Sequence, residues 1–218
     1  MQVFWIIFQQ EILLSFRHLG KILANFLFFL ISISVFSLTS EDQIIQGFTP
    51  IHSITIIWIS LLFCSIFSAA EFLKKDFDDG AIEQALVSCE NFEIFVLAKM
   101  LANWLACCLP ILIFIPLILL ANHANQSLIA NSTILIFLAS LIINFICTFC
   151  GSLSVLGSAA PIIAVIAMPL IIPIILVAYA GLLGENFQTS FRILLGLSVF
   201  IGSISVFASA KIIKIAAD

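Results

Sequence analysis

The chain has 218 residues, of which 63% are apolar and only 9% charged, and its mean hydropathy is +1.28. A water-soluble domain carries about a quarter charged residues to wet its surface, so composition excludes a soluble enzyme and a disordered tail. Eight basic residues against twelve acidic ones leave a formal net charge of −4, which offers no basic field to a phosphate backbone and excludes a nucleic-acid binder.

What is left is an all-α, polytopic membrane protein embedded in a lipid bilayer, and about 20 apolar residues per crossing gives room for roughly six helices. Residues 1–21 come first. Glu11, Arg17, His18 and Lys21 do not fit the short basic opening and apolar run of a cleavable signal. Trp5, Phe8, Ile12, Phe16 and Leu19 recur at steps of three or four, which predicts an amphipathic helix lying in the cytoplasmic interface rather than an extension of the first span. Residues 22–218 form a six-span domain: Ile22–Thr39, Ile51–Ala70, Phe95–Ala121, Ser132–Leu156, Pro161–Leu183 and Phe191–Ala210. Only Gly157-Ser158-Ala159-Ala160-Pro161 separates the fourth from the fifth, so a broken or re-entrant segment is open there.

The connections alternate in charge. Segments 40–50, 122–131 and 184–190 are nearly free of basic residues, whereas 1–21, 71–94 and 211–218, with Lys99 at a span edge, hold seven of the eight. Arg192 alone lies on the other side. The bias of Lys and Arg toward the cytoplasm then places both termini there.

No ionisable residue lies deep in a span. That argues against a proton- or ion-driven carrier and against an aspartyl intramembrane protease with its buried carboxylate pair. No G-x-S-x-G nucleophile turn is present, and the chain is expected to be non-catalytic. The spans do carry small polar side chains at helical spacing: Ser140, Asn144, Cys147, Gly151, Ser154 and Ser158 in the fourth, and Ser198, Gly202, Ser205 and Ser209 in the sixth. Such stripes let helices pack closely within one subunit, or form a seam between subunits or the wall of a cleft. Pro110, Pro116, Pro169 and Pro173 are expected to kink the third and fifth spans.

Five of the six cysteines fall in spans and Cys89 in a cytoplasmic loop, which favours apolar filler over a disulfide framework. Cys147-x-x-Cys150 lies mid-span, not at an exposed helix start that would activate a thiol. His52 and His123 lie near the outward face. They read as interfacial anchors or as a pair of haem ligands, although Trp5, Trp58 and Trp104 are too scattered to cradle haem.

The cytoplasmic loop 71–94 is the most informative stretch. From Glu71 to Lys99 it holds seven carboxylates and three lysines. Asp78 or Asp79 can cap a short helix starting near Gly80. Ile82, Ala85 and Leu86 fall on one side of it, Glu83 and Gln84 on another. Phe72, Leu73, Phe77, Ile82 and Leu86 make the loop too apolar for a free solvated connection, so an amphipathic helix suited to a partner's groove is predicted, with carboxylates steering toward a basic rim.

The run Glu71-Phe72-Leu73-Lys74-Lys75-Asp76-Phe77-Asp78-Asp79-Gly80-Ala81-Ile82-Glu83-Gln84 resembles the loop of the haem exporter protein B family, also called cytochrome c maturation protein B. Phe8…Glu11…Phe16-Arg17-His18, Leu97-Ala98-Lys99-Met100…Trp104…Leu109-Pro110 and Met168-Pro169-Leu170…Pro173 agree in order and spacing. The resemblance implies the permease subunit of an ATP-binding-cassette (ABC) transporter in the bacterial inner membrane, working in cytochrome c maturation. It also implies a homodimer paired with a separate cytoplasmic ABC ATPase subunit, beside a haem-loading membrane protein and a periplasmic haem chaperone. ATP hydrolysis would drive haem export or release of the loaded chaperone, with haem the transported or handled species and no cofactor held directly. This chain has no phosphate loop, since Ile22 follows Gly20-Lys21 and Ser15 stands where the first glycine would be; ATP is therefore expected in the partner. The coupling contact is assigned to Asp76, Asp78, Asp79, Gly80, Glu83 and Gln84. Two departures from the family stand out: Gly157-Ser158-Ala159-Ala160 replaces a basic turn, and Ser88-Cys89-Glu90 replaces prolines. A generic ABC-2-type permease for a drug, lipid or polysaccharide, and a non-transporting assembly scaffold, are the competing readings.

Overall fold

The computed structural model describes residues 2–17, 19–39, 50–71, 76–77, 79–88, 91–153, 160–183 and 186–217. Among these it is all helix: α1 (Gln2–Arg17), α2 (Leu19–Thr39), α3 (Pro50–Glu71), α4 (Ala81–Ser88), α5 (Phe92–Ala121), α6 (Gln126–Leu153), α7 (Ala160–Leu183) and α8 (Phe187–Ala217). In hydrocarbon every backbone amide must bond within its own segment, which only helices and closed barrels achieve. The polytopic membrane class expected from composition is the class observed.

Among the described residues five stretches are long and apolar enough to cross: His52–Ala69, Phe92–Ala121, Gln126–Leu153, Val165–Leu182 and Phe187–Ala216. The first expected span falls on α2, whose apolar stretch, Ile22–Val35, is shorter. The helix runs on through Pro110 and Pro116 in α5 and through Pro169 and Pro173 in α7. The questioned turn between the fourth and fifth spans lies largely in 154–159, outside the described residues, as do Ser154, Ser158 and Cys89.

Helix α6 is the centre of the bundle, mostly buried along its apolar length, and it packs on α8, α7, α3 and α5. Ile57 and Leu61 of α3, Ile111 of α5, Ile142 and Ile143 of α6, Ile171 of α7 and Leu194 of α8 fill the main core. Close approach follows from small residues. A Cβ on Gly151 would overlap the Ala69 carbonyl of α3, and one on Gly202 of α8 would stand 3.1 Å from the Phe145 ring.

Helices α5 and α8 have 30 and 31 residues, about 45 Å each at 1.5 Å per residue. A hydrocarbon layer of about 30 Å cannot cover them. At one end of the bundle the start of α5 and the end of α8 meet α4 and build a second core of Ile82, Phe92, Val96, Met100, Phe145, Val206, Ala210 and Ile213.

Candidate functional site

The site is the structured end of that bundle. Gly80 has φ +71 and donates its N–H to the Phe77 carbonyl at 3.1 Å, while its own carbonyl accepts from the Gln84 N–H at 3.3 Å. Gly80 thus occupies the cap position of α4, in a backbone region that disfavours a side chain. The expected capping role of Asp78 lies outside the described residues, and Asp79 stands exposed in the turn. Beyond it, Ile82 is fully buried in the second core, with Phe77, Ala85 and Leu86 half-buried against it. The other side of α4 shows Glu83, Gln84 and Val87 outward, and Val87 is 91% exposed.

Asp76 faces the other way. Its carboxylate pairs with the Lys99 ammonium at 2.5 Å, and Glu11 of α1 holds the same ammonium at 2.7 Å. Lys99, the eighth residue of α5, is only 5% exposed and lies 5.5 Å from the centre of the Phe95 ring. Nearby, Lys214 of α8 pairs with Glu93 of α5 at 2.9 Å and stands over Phe92. Three helices and the turn before a fourth are thereby joined by charge at one end of the molecule.

Helix α1 explains how Glu11 reaches that place. Phe4, Ile7, Phe8, Glu11, Ile12 and Ser15 are half-buried, and α1 packs mainly on α5. Trp5, Ile6, Leu13 and Leu14 are exposed. The expected single apolar face, which put Trp5 with Phe8 and Ile12, is replaced by two, one turned to the protein and one away.

Deeper in the bundle, Ser140, Asn144 and Gly151 are buried on α6, and Ser198, Gly202 and Ser205 on α8. Asn144 donates to the Met100 carbonyl at 3.1 Å and accepts from Asn103 Nδ2 at 3.1 Å, and Asn103 accepts from Ser68 at 2.7 Å. Trp104 donates to Ser140 at 3.2 Å, and Asn25 of α2 donates to the Cys107 sulfur at 3.4 Å. These bonds join α2, α3, α5 and α6. Ser198 and Ser205 return their hydroxyls to carbonyls of their own helix.

Lys99, Glu11, Asn103 and Asn25 have roles in this geometry that sequence reasoning missed. An amide inside an apolar run was the available signal for Asn103 and Asn25. For Lys99 it was a charge inside, not beside, the start of a long apolar helix. His52 and His123 are both exposed, and His123 closes α5 with φ +54.

Comparison with known proteins places this architecture. The family model described as CcmB protein matches residues 2–216. Heme exporter protein B of Escherichia coli is 34% identical over 113 residues, 51% of this chain and 50% of that protein, so that match spans about half the relative's length. Heme exporter protein B of Pseudomonas aeruginosa is 27% identical over 83% of this chain and 80% of its own. The protein of the same name from Haemophilus influenzae is 24% identical over 99% of each chain. A full-length family match on an all-helical, multi-pass membrane protein settles the kinship: the chain belongs to the CcmB protein family.

Proposed function

We propose that this chain is the non-catalytic membrane subunit of an ABC transporter complex in the bacterial inner membrane, serving haem export or release of a haem-loaded periplasmic chaperone in cytochrome c maturation. One observation carries the reading. Helix α4 is fixed to the bundle by a fully buried Ile82 while Asp79, Glu83, Gln84 and the apolar Val87 face outward. A short helix rigid on its inner side and acidic on its outer side suits a groove with a basic rim on a cytoplasmic ATPase subunit. ATP is bound there and not here. Asp78 adjoins this face in sequence. Asp76 acts from behind it through Lys99, and Gly80 shapes the turn that presents it.

With α2 as a sixth crossing and both termini cytoplasmic, α4 and the lysine-bearing ends of α5 and α8 face the cytoplasm. The working unit is a homodimer beside the haem-loading membrane protein, with haem as the handled species.

The experiment is a gene deletion complemented with wild type or with the double variant Asp79→Lys, Glu83→Lys. Haem staining follows c-type cytochromes and the covalently loaded chaperone, and a tag on this chain captures the ATPase. Deletion is expected to abolish the cytochromes, and the double variant to lose ATPase capture, most at low salt where screening is weakest. A chaperone that stays loaded in the deletion identifies release as the task, and loss of both identifies haem delivery. Normal cytochrome levels in the deletion, or capture unchanged at every salt concentration, would overturn the proposal.

A further inference from the structure

We infer that Lys99 is the positioning residue that holds the ATPase-docking turn and the interfacial helix α1 in one register, so that movement of α4 reaches α1 through one shared ammonium. The inference rests on the docking reading of α4. An ammonium buried as deeply as that of Lys99 requires a counter-charge, and it receives two, from Glu11 on α1 and from Asp76 ahead of α4. The carboxylate side chains keep 20% and 26% of their exposure against 6% for Lys99. Water therefore solvates the surplus negative charge, while the cation depends on its two partners.

The arrangement is directional. Asp76 stands six residues before Ile82, on the segment that a docking partner would displace. Glu11 sits at the middle of the protein-facing side of α1, flanked there by Ile7, Phe8 and Ile12. If α4 shifts and Asp76 moves from Lys99, the ammonium falls to Glu11 alone and draws α1 toward α5. Simple neutralisation of one lysine would need one carboxylate. Two, supplied by segments far apart in the chain, make Lys99 a junction.

The test uses the whole complex, captured through a tag on this chain, and reads ATPase captured per chain against yield of haem-stained c-type cytochromes. Glu11→Gln is expected to leave capture at the wild-type level, because Glu11 is not on the outward face of α4. The cytochrome yield is expected to fall about two- to thirty-fold, the range over which a coupling contact acts. Lys99→Arg, which keeps a cation between the two carboxylates, should keep most of the yield. Lys99→Met should lose it, and if that variant fails to accumulate, Glu11→Gln still decides the question. Wild-type yield in Glu11→Gln overturns the inference, and so does a loss of capture in step with yield, since the effect is then one of folding or docking. Both results leave the docking reading standing. A wild-type chain that captures no ATPase overturns that reading and this inference with it.

Discussion

At Gly80 the backbone has φ +71, and nothing lies within 4 Å of where a Cβ would stand. Substitution there acts through the dihedral and not through packing. Gly80→Ala is expected to loosen α4 by about 1 kcal/mol, and Gly80→Asn by less, because a short amide side chain tolerates the left-handed region. The Gln84 amide, bonded to the Gly80 carbonyl, is the reporter, and its hydrogen exchange should quicken about fivefold in Gly80→Ala. Equal exchange in both variants would show that the turn is not what holds the helix. This turn was legible in the sequence because Asp-Asp-Gly ahead of an Ile-x-x-Ala-Leu pattern is a local signal. The inward turn of Asp76 was not, because its partner lies 23 residues further on, in a segment that reads as the start of a span.

Among the described glycines the closest approach between elements is α3 against α6, where Gly151 leaves no room for a methyl group beside the Ala69 carbonyl. Backbone cannot move aside as a side chain can. Gly151→Ala should therefore lower the stability of the detergent-solubilised protein by about 2–3 kcal/mol. Gly202→Ala meets only the Phe145 ring, at 3.1 Å, and should cost less. Gly196→Ala on α8 meets nothing within 4 Å and should stay within about 0.5 kcal/mol of wild type. Thermal melts of the three variants give the order, and a Gly151→Ala protein as stable as Gly196→Ala would show that α3 and α6 do not touch as described. Span positions were largely legible, since charges and turn residues bound each apolar run. The bonds between spans were not. Asn144 reads as one small polar position in a stripe, and only the fold brings Asn103, Met100 and Ser68 to it from two other helices.

Over the whole molecule, charge is sorted by end. Lys99, Lys211 and Lys214 lie at the end with α4, while Arg192 lies at the other, in the second turn of α8. Cysteines at Val87 and Asn125, both exposed, give the check on orientation in a Cys89→Ser background. A membrane-impermeant maleimide should label Val87→Cys only in inverted vesicles and Asn125→Cys only from outside the cell, and the reverse pattern would turn the protein over. The sequence placed these lysines in one group by charge bias alone, with Lys99 at a span edge. Burial of Lys99 depends on α1, the turn and α5 meeting in three dimensions, which no local pattern states. The same meeting has an order in time. Glu11 leaves the ribosome 88 residues before Lys99, an interval of about 4–18 s at bacterial or eukaryotic elongation rates of roughly 5–20 residues per second. Throughout that interval the Lys99 ammonium that holds its carboxylate in the folded chain is absent, and burying a carboxylate without a counter-charge is strongly unfavourable. The seat that α1 takes in the folded protein, mainly on α5, is therefore completed only once α5 has emerged.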